Sequence, residues 1–94
     1  MKKYIVCKIQ PFVFKQTIQI CEGQNCINEY KSRLTDLKDN LFSLCKTNNI
    51  HDIILDGSRT FAYPIRDAFI SPKYSNEHLI KVYLEGDNTS EIFN

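Results

Sequence analysis

The chain has no tryptophan, one methionine and only three glycines in 94 residues. Gly23, Gly57 and Gly86 lie far apart, so there is no dinucleotide glycine pattern, no phosphate loop and no Gly-x-Ser-x-Gly elbow. Charge of one sign is lacking too. Twelve Lys and Arg against eleven Asp and Glu leave a net charge of +1, which supplies no global field to draw in nucleic acid or an anionic membrane. Long apolar runs are also absent. Tyr4-Ile5-Val6-Cys7 is broken by Lys8 and Gln10 before it reaches the length of a signal-peptide core or a membrane span, so the expectation is a cytoplasmic protein with no membrane partner.

What remains is ordinary in amount. A hydrophobic share of 43% and a charged share of 24% match chains that fold around a core, which excludes disorder and fibres. Residues 1–94 allow a single domain that buries about two-thirds of its unfolded surface. Residues 87–94, with Ile92 and Phe93, read as a tail that docks or stays flexible.

The four cysteines, Cys7, Cys21, Cys26 and Cys45, are expected to be reduced thiols. Cys21-x-x-x-x-Cys26 approaches the spacing of a zinc knuckle. No second knuckle accompanies it, because Cys7, Cys45, His51 and His78 form no close pair, and no metal or cofactor is expected. Strand alternation further places Cys7 and Cys21 on opposite faces of a sheet. Cys7 and Cys45 are then core residues, with Cys21 and Cys26 partly exposed.

Periodicity gives the elements. Lys3 to Gln10 alternates as a half-buried strand ended by Pro11, and Phe14 to Glu22 as its antiparallel hairpin partner with one wet face. Gly23-Gln24-Asn25 closes that strand. Ile27, Tyr30, Leu34, Leu37, Leu41 and Leu44 recur at steps of three and four, predicting a long amphipathic helix capped by Asn25 or Asn28 that leaves at Asn48-Asn49. That stripe suits a coiled-coil seam or a sheet; in a chain rich in strands, packing on its own sheet is preferred. His51-Asp52-Ile53-Ile54-Leu55-Asp56-Gly57 runs without alternation, as a buried central strand does. A second helix is predicted from Tyr63 or Pro64 to Ile70 with Phe61, Ile65, Ala68 and Phe69 inward, and a last strand over about His78 to Glu85. The fold class is α+β, α/β-like, in the order β-β-α-β-α-β, with a mixed sheet, an N-terminal antiparallel hairpin and the long helix packed on it.

In arrangement the chain resembles a shortened ribonuclease H-like domain of the resolvase kind, in which a hairpin leads through a long helix to a buried strand ending in an acid, here Asp56. That family's chemistry needs a second acid on the first strand to hold two metals. Tyr4-Ile5-Val6-Cys7-Lys8-Ile9-Gln10 has none, so no catalytic residue is carried over.

Three functional expectations remain. Asp56, Ser58, Arg59 and Arg66 supply the groups of a small anion-binding edge, although Asp56-Gly57-Ser58 also reads as an ordinary turn and cap. Tyr4, Lys8, Lys15, Lys81 and Tyr83 supply the aromatic and basic groups with which a sheet holds single-stranded nucleic acid, a reading that balanced charge disfavours. The third carries furthest: Phe12, Val13, Tyr63, Tyr74, Ile92 and Phe93 are apolar or aromatic residues in turns and tails. They mark Phe12, Val13, Tyr74, Ile92 and Phe93 as an interface of a non-enzymatic module that binds protein and self-associates as a homo-oligomer. Richness in Ile, Asn and Lys fits a phage or low-GC bacterial accessory protein.

Overall fold

A computed structural model describes residues 2–93. The strands β1 (Lys3–Ile9), β2 (Lys15–Glu22), β3 (Asn25–Arg33), β4 (Asp52–Gly57) and β5 (Lys81–Tyr83) form one sheet in the order β3-β2-β1-β4-β5. The first three pair antiparallel; β4 runs parallel to β1, and β5 parallel to β4. This is the mixed α+β sheet expected, with one strand more than the sequence pattern showed.

The extra strand is β3. Ile27 and Tyr30 are spaced as in a helix, but Glu22 pairs directly with Asn25, so Gly23 and Gln24 form a two-residue hairpin loop with Gly23 at φ +62°. A loop that short turns the chain straight back, and the residues after it zip onto β2 as far as Arg33 opposite Lys15. Pairing satisfies their backbone groups, which overrides the helical spacing. The long helix α1 is therefore Leu37–Asn48, preceded by a single 3-10 turn at Leu34–Asp36, and neither Asn25 nor Asn28 caps it. Its exit is as expected: Asn49 adopts the left-handed conformation at φ +54° and its N–H reaches the carbonyl of Cys45.

Two helices follow β4: α2 (Arg59–Ile70) and the short α3 (Pro72–Ser75). Helix α2 starts well before Pro64, which lies inside it. Pro64 removes only the N–H that would bond Thr60, and its ring fixes a φ that the helix already uses, so the helix runs through. Ala62 rather than Phe61 faces inward, beside Ile65 and Phe69. The last strand is only three residues long, but its flanks Ile80 and Leu84 are buried. The chain then folds back as α4 (Ser90–Phe93), with Ile92 buried, and Asn94 lies outside the described residues.

Side-chain alternation divides the core by sheet face. Ile5, Cys7, Ile18, Ile20, Ile53 and Leu55 fill one face and pack with Leu37, Leu41 and Cys45 of α1 and Ile65 and Phe69 of α2. On the other face Tyr4, Cys21 and Tyr83 gather under Ile92 of α4. Cys7 and Cys21 thus point to opposite faces, as alternation requires. Cys21 is more buried than expected, because the α4 cluster covers it, whereas Cys26 is exposed. Burial pushes the Cys7 thiol up to about 12; burial, then the nearby Asp52 carboxylate, do the same for Cys45. A thiol reagent at mildly alkaline pH should label Cys26 first in the native protein and reach Cys7 and Cys45 only on unfolding. Early labelling of either would contradict this packing.

The parallel pairing of β1 with β4 ends at Ile9 opposite Gly57. Gly57 sits at φ +143°, and a Cβ there would lie 2.1 Å from the Ile9 carbonyl oxygen. No L side chain fits without opening the ladder. Gly57→Ala should lower unfolding free energy by more than about 1 kcal/mol, measured by urea titration.

Candidate functional site

Because β1 and β4 are parallel and end together, the segments leaving them meet at one edge of the sheet. From Ile9 the chain enters the β1–β2 loop, residues 10–14; from Gly57 it passes through Ser58 into α2. The loop is held by one buried side chain. Gln16 accepts from the Gln10 N–H at 2.7 Å and donates to the Gln10 carbonyl at 3.2 Å and the Val13 carbonyl at 3.5 Å. A buried amide satisfied by loop backbone ties the loop's two sides to each other.

What Gln16 holds up is apolar. Phe12 is completely exposed at 104% relative accessibility, Phe14 is largely exposed, and Val13, Leu34 and Phe61 are partly so. Phe12 also sits at φ +67°, a left-handed backbone in which a bulky residue is a genuine outlier. Local strain of this kind costs on the order of 1–3 kcal/mol and persists at binding sites. Beside the loop lies a cavity of about 90 Å³ lined by Ile9, Phe12, Gln16, Leu34 and Phe61 among others.

The four residues of the expected anion edge are not drawn into one pocket. Asp56 is exposed on the α4 face of the sheet, opposite Lys8 of β1. Ser58 is the N-cap of α2 but makes no side-chain capping bond; its carbonyl receives the N–H groups of Phe61 and Ala62 instead. Arg59 and Arg66 do come together, over the ring of Tyr63, with their guanidinium carbons 5.3 and 4.8 Å from its centroid. Each has partners already: Arg59 donates to the Tyr63 hydroxyl at 3.0 Å and to the Glu85 carbonyl, and Arg66 pairs with Asp67 at 3.3 Å. Nor does the β1–β4 edge fit a two-metal nuclease. The residue opposite Asp56 on the first strand is Lys8, where a second carboxylate would be needed. Among the described residues, no three His, Cys, Asp or Glu side chains converge as metal ligands would.

The remaining interface candidates divide. Tyr74 is buried, its ring 4.8 Å from Phe42 and 5.2 Å from Phe69, and its hydroxyl donates to Asp39 at 2.8 Å. It joins α3 to α1 and α2 and offers no surface. Ile92 is buried as well, while Phe93 remains half-exposed with its edge against Tyr4 at 5.3 Å. The tail therefore spends its apolar residues on its own sheet. It also covers Tyr4 and Tyr83, the aromatics of the nucleic-acid reading, leaving Lys8, Lys15 and Lys31 exposed without them. Phe12 and Val13 stay outward, joined by Phe14 and by Leu34 and Phe61, which the sequence pattern places on the buried faces of helices. The run Pro11-Phe12-Val13-Phe14, three apolar residues after a strand-ending proline, was the signal for Phe14.

No described helix is long and apolar enough to cross a membrane. Since Phe12 has nothing to lose by burial and strain to relieve, Phe12→Asn, a residue tolerant of left-handed backbone, should raise stability by about 1 kcal/mol in thermal melts. A loss of stability would mean the loop depends on the ring. Comparison with known proteins finds no family model, no curated protein and no solved structure that matches this chain.

Proposed function

We propose that this protein is a small non-enzymatic protein-interaction module that acts as a homo-oligomer and presents Phe12 as an aromatic knob to a partner protein. One observation carries the reading: a fully exposed phenylalanine held in strained left-handed backbone by a buried Gln16 clamp. Folding gains nothing from that ring, and a few aromatic side chains set among apolar neighbours often dominate binding energy at protein interfaces. Phe14, Leu34 and Phe61 supply the neighbours, and the adjacent 90 Å³ cavity gives a partner side chain a place to enter. A non-enzymatic role is supported by the engaged state of Arg59 and Arg66 and by the register that sets Lys8, not an acid, opposite Asp56. A cytoplasmic location and a phage or low-GC bacterial source belong to the same proposal and rest on composition alone.

A second reading has one observation in its favour. Lys8, Thr17 and Lys31 stand in one row across β1, β2 and β3, and among the described residues neither lysine forms an ion pair. Such a row suits phosphate contacts, and binding through it would weaken steeply with salt.

A photoreactive phenylalanine analogue at position 12 tests the leading reading in cells of the natural host. Discrete protein adducts are expected from position 12 and not from the exposed helix position Lys38. Phe12→Asp should weaken capture of the same protein roughly tenfold or more, as hot-spot removal does. Identical adducts at both positions, or none at 12, would contradict the proposal.

A further inference from the structure

The two edges of the sheet are unlike. Strand β5 is three residues long, with α4 tied across it by the Lys81–Glu91 pair at 2.9 Å. Strand β3 is nine residues long, exposed along nearly its whole length, contains no proline, and pairs on its inner side only. An open edge of that length presents a row of unpaired backbone N–H and C=O groups, and proteins ordinarily shorten, bend or cover such strands. Here a bulge at Ile27 bends its start, and the stretch from Asn28 to Arg33 stays in unbroken register with β2 and open on its outer side.

We infer that the outer edge of β3 pairs with β3 of a second copy of this chain, antiparallel about a two-fold axis at Tyr30, so that two five-stranded sheets become one continuous sheet. The inference rests on the self-association part of the function proposed above and is independent of what Phe12 binds. Register decides it. Two antiparallel strands related by a two-fold axis through the sheet normal must pair residues that lie on the same face, so a residue stands at the centre.

Centring on Glu29 opposes two carboxylates, and centring on Lys31 opposes two ammonium groups. Centring on Asn28 opposes Glu29 to Ile27 and pairs no charges across the seam. Centring on Tyr30 sets Glu29 against the second copy's Lys31, and Lys31 against its Glu29. It also sets Tyr30 against Tyr30 and Asn28 against Ser32, which ends the regular stretch, since Ile27 lies in the bulge. Opposite charges and aromatic pairs directly across antiparallel strands stabilise, and like charges destabilise. The side chains are placed for this. Glu29 and Lys31 stand on the α4 face, opposite Gln19 and Thr17, while Tyr30 stands opposite Ile18 on the helix face, where it is partly exposed. Ile27 and Leu34, also partly exposed, flank the seam.

Charge exchange gives a test with its own rescue. By sedimentation velocity the native chain should run as a dimer, and Glu29→Lys or Lys31→Glu alone should weaken association roughly tenfold or more, because each opposes like charges at both symmetric sites. Mixing those two single variants should restore a dimer of one of each, and the double variant should dimerise with itself. In a Cys26→Ser background, Tyr30→Cys should form a disulfide with its own copy under mild oxidation.

A dimer unaffected by either single exchange would overturn the β3 interface while leaving self-association standing. Loss of the dimer with no recovery in the mixture or the double variant would overturn the Tyr30 register. A native monomer would overturn both the interface and the self-association on which it rests.

Discussion

The parallel contact between β1 and β4 is the constraint on which the rest of the structure depends. β1 sits at the centre of the sheet, antiparallel to β2 on one side and parallel to β4 on the other. Parallel pairing forbids a tight turn, so a crossover must span the sheet, and the chain provides it with α1 lying on Ile5, Cys7, Ile18 and Ile20. It also requires two backbones to close at Ile9 and Gly57, where only a glycine fits. Because the two strands end level, the β1–β2 loop and the start of α2 are brought to the same edge, and the apolar surface around Phe12 follows from that alignment.

A domain of this size covers its sheet unevenly. Two helices fill one face, and a single helical turn at the C-terminal end of the chain covers half of the other, using Ile92 over Tyr4, Cys21 and Tyr83. The rest of that face carries Lys8, Thr17 and Lys31, polar side chains in one row, with Lys31 donating to the Thr17 hydroxyl at 2.6 Å. At the amino end of β4, Asp52 is buried with Lys2 at 3.3 Å as its counter-charge and the Tyr83 hydroxyl at 3.3 Å. His51 and His78 stack at 4.3 Å nearby, with both ring nitrogens of His51 and Nε2 of His78 facing a backbone carbonyl or an amide oxygen. One carboxylate oxygen of Asp52 has only the charge contact to Lys2 and no hydrogen-bond partner among the described residues. Among the described residues, the β3 edge and the Phe12 loop are the two open surfaces on which the proposed protein contacts rest.

Much of this was legible in the residues, and the failures share a cause. β1, β2 and β4 announce themselves by alternation or by an unbroken apolar run, and Asn49 marks the helix exit because asparagine tolerates left-handed backbone. β3 was hidden because Ile27 and Tyr30 are three apart; what overrides the spacing is the two-residue turn at Gly23-Gln24, a local event that periodicity ignores. Pro64 misplaced the start of α2 for the same reason, since a single missing hydrogen bond does not stop a helix whose Ala62, Ile65 and Phe69 are buried. At the site, the exposed apolar character of Phe12 and Val13 could be read directly. Gln16 could not, because a buried glutamine is visible only once the loop it clamps exists. Tyr74 and Ile92 looked free only because the short helices that bury them carry no periodic signal.

Hydrogen exchange followed by mass spectrometry, run across a range of protein concentrations, tests most directly the claim that an open edge and an exposed loop are this domain's points of contact. Protection of residues 25–33 that rises with concentration, while residues 12–14 exchange at a rate that does not change with it, is the predicted result. Outward amides of β3 that exchange at unstructured-chain rates at every concentration would contradict it.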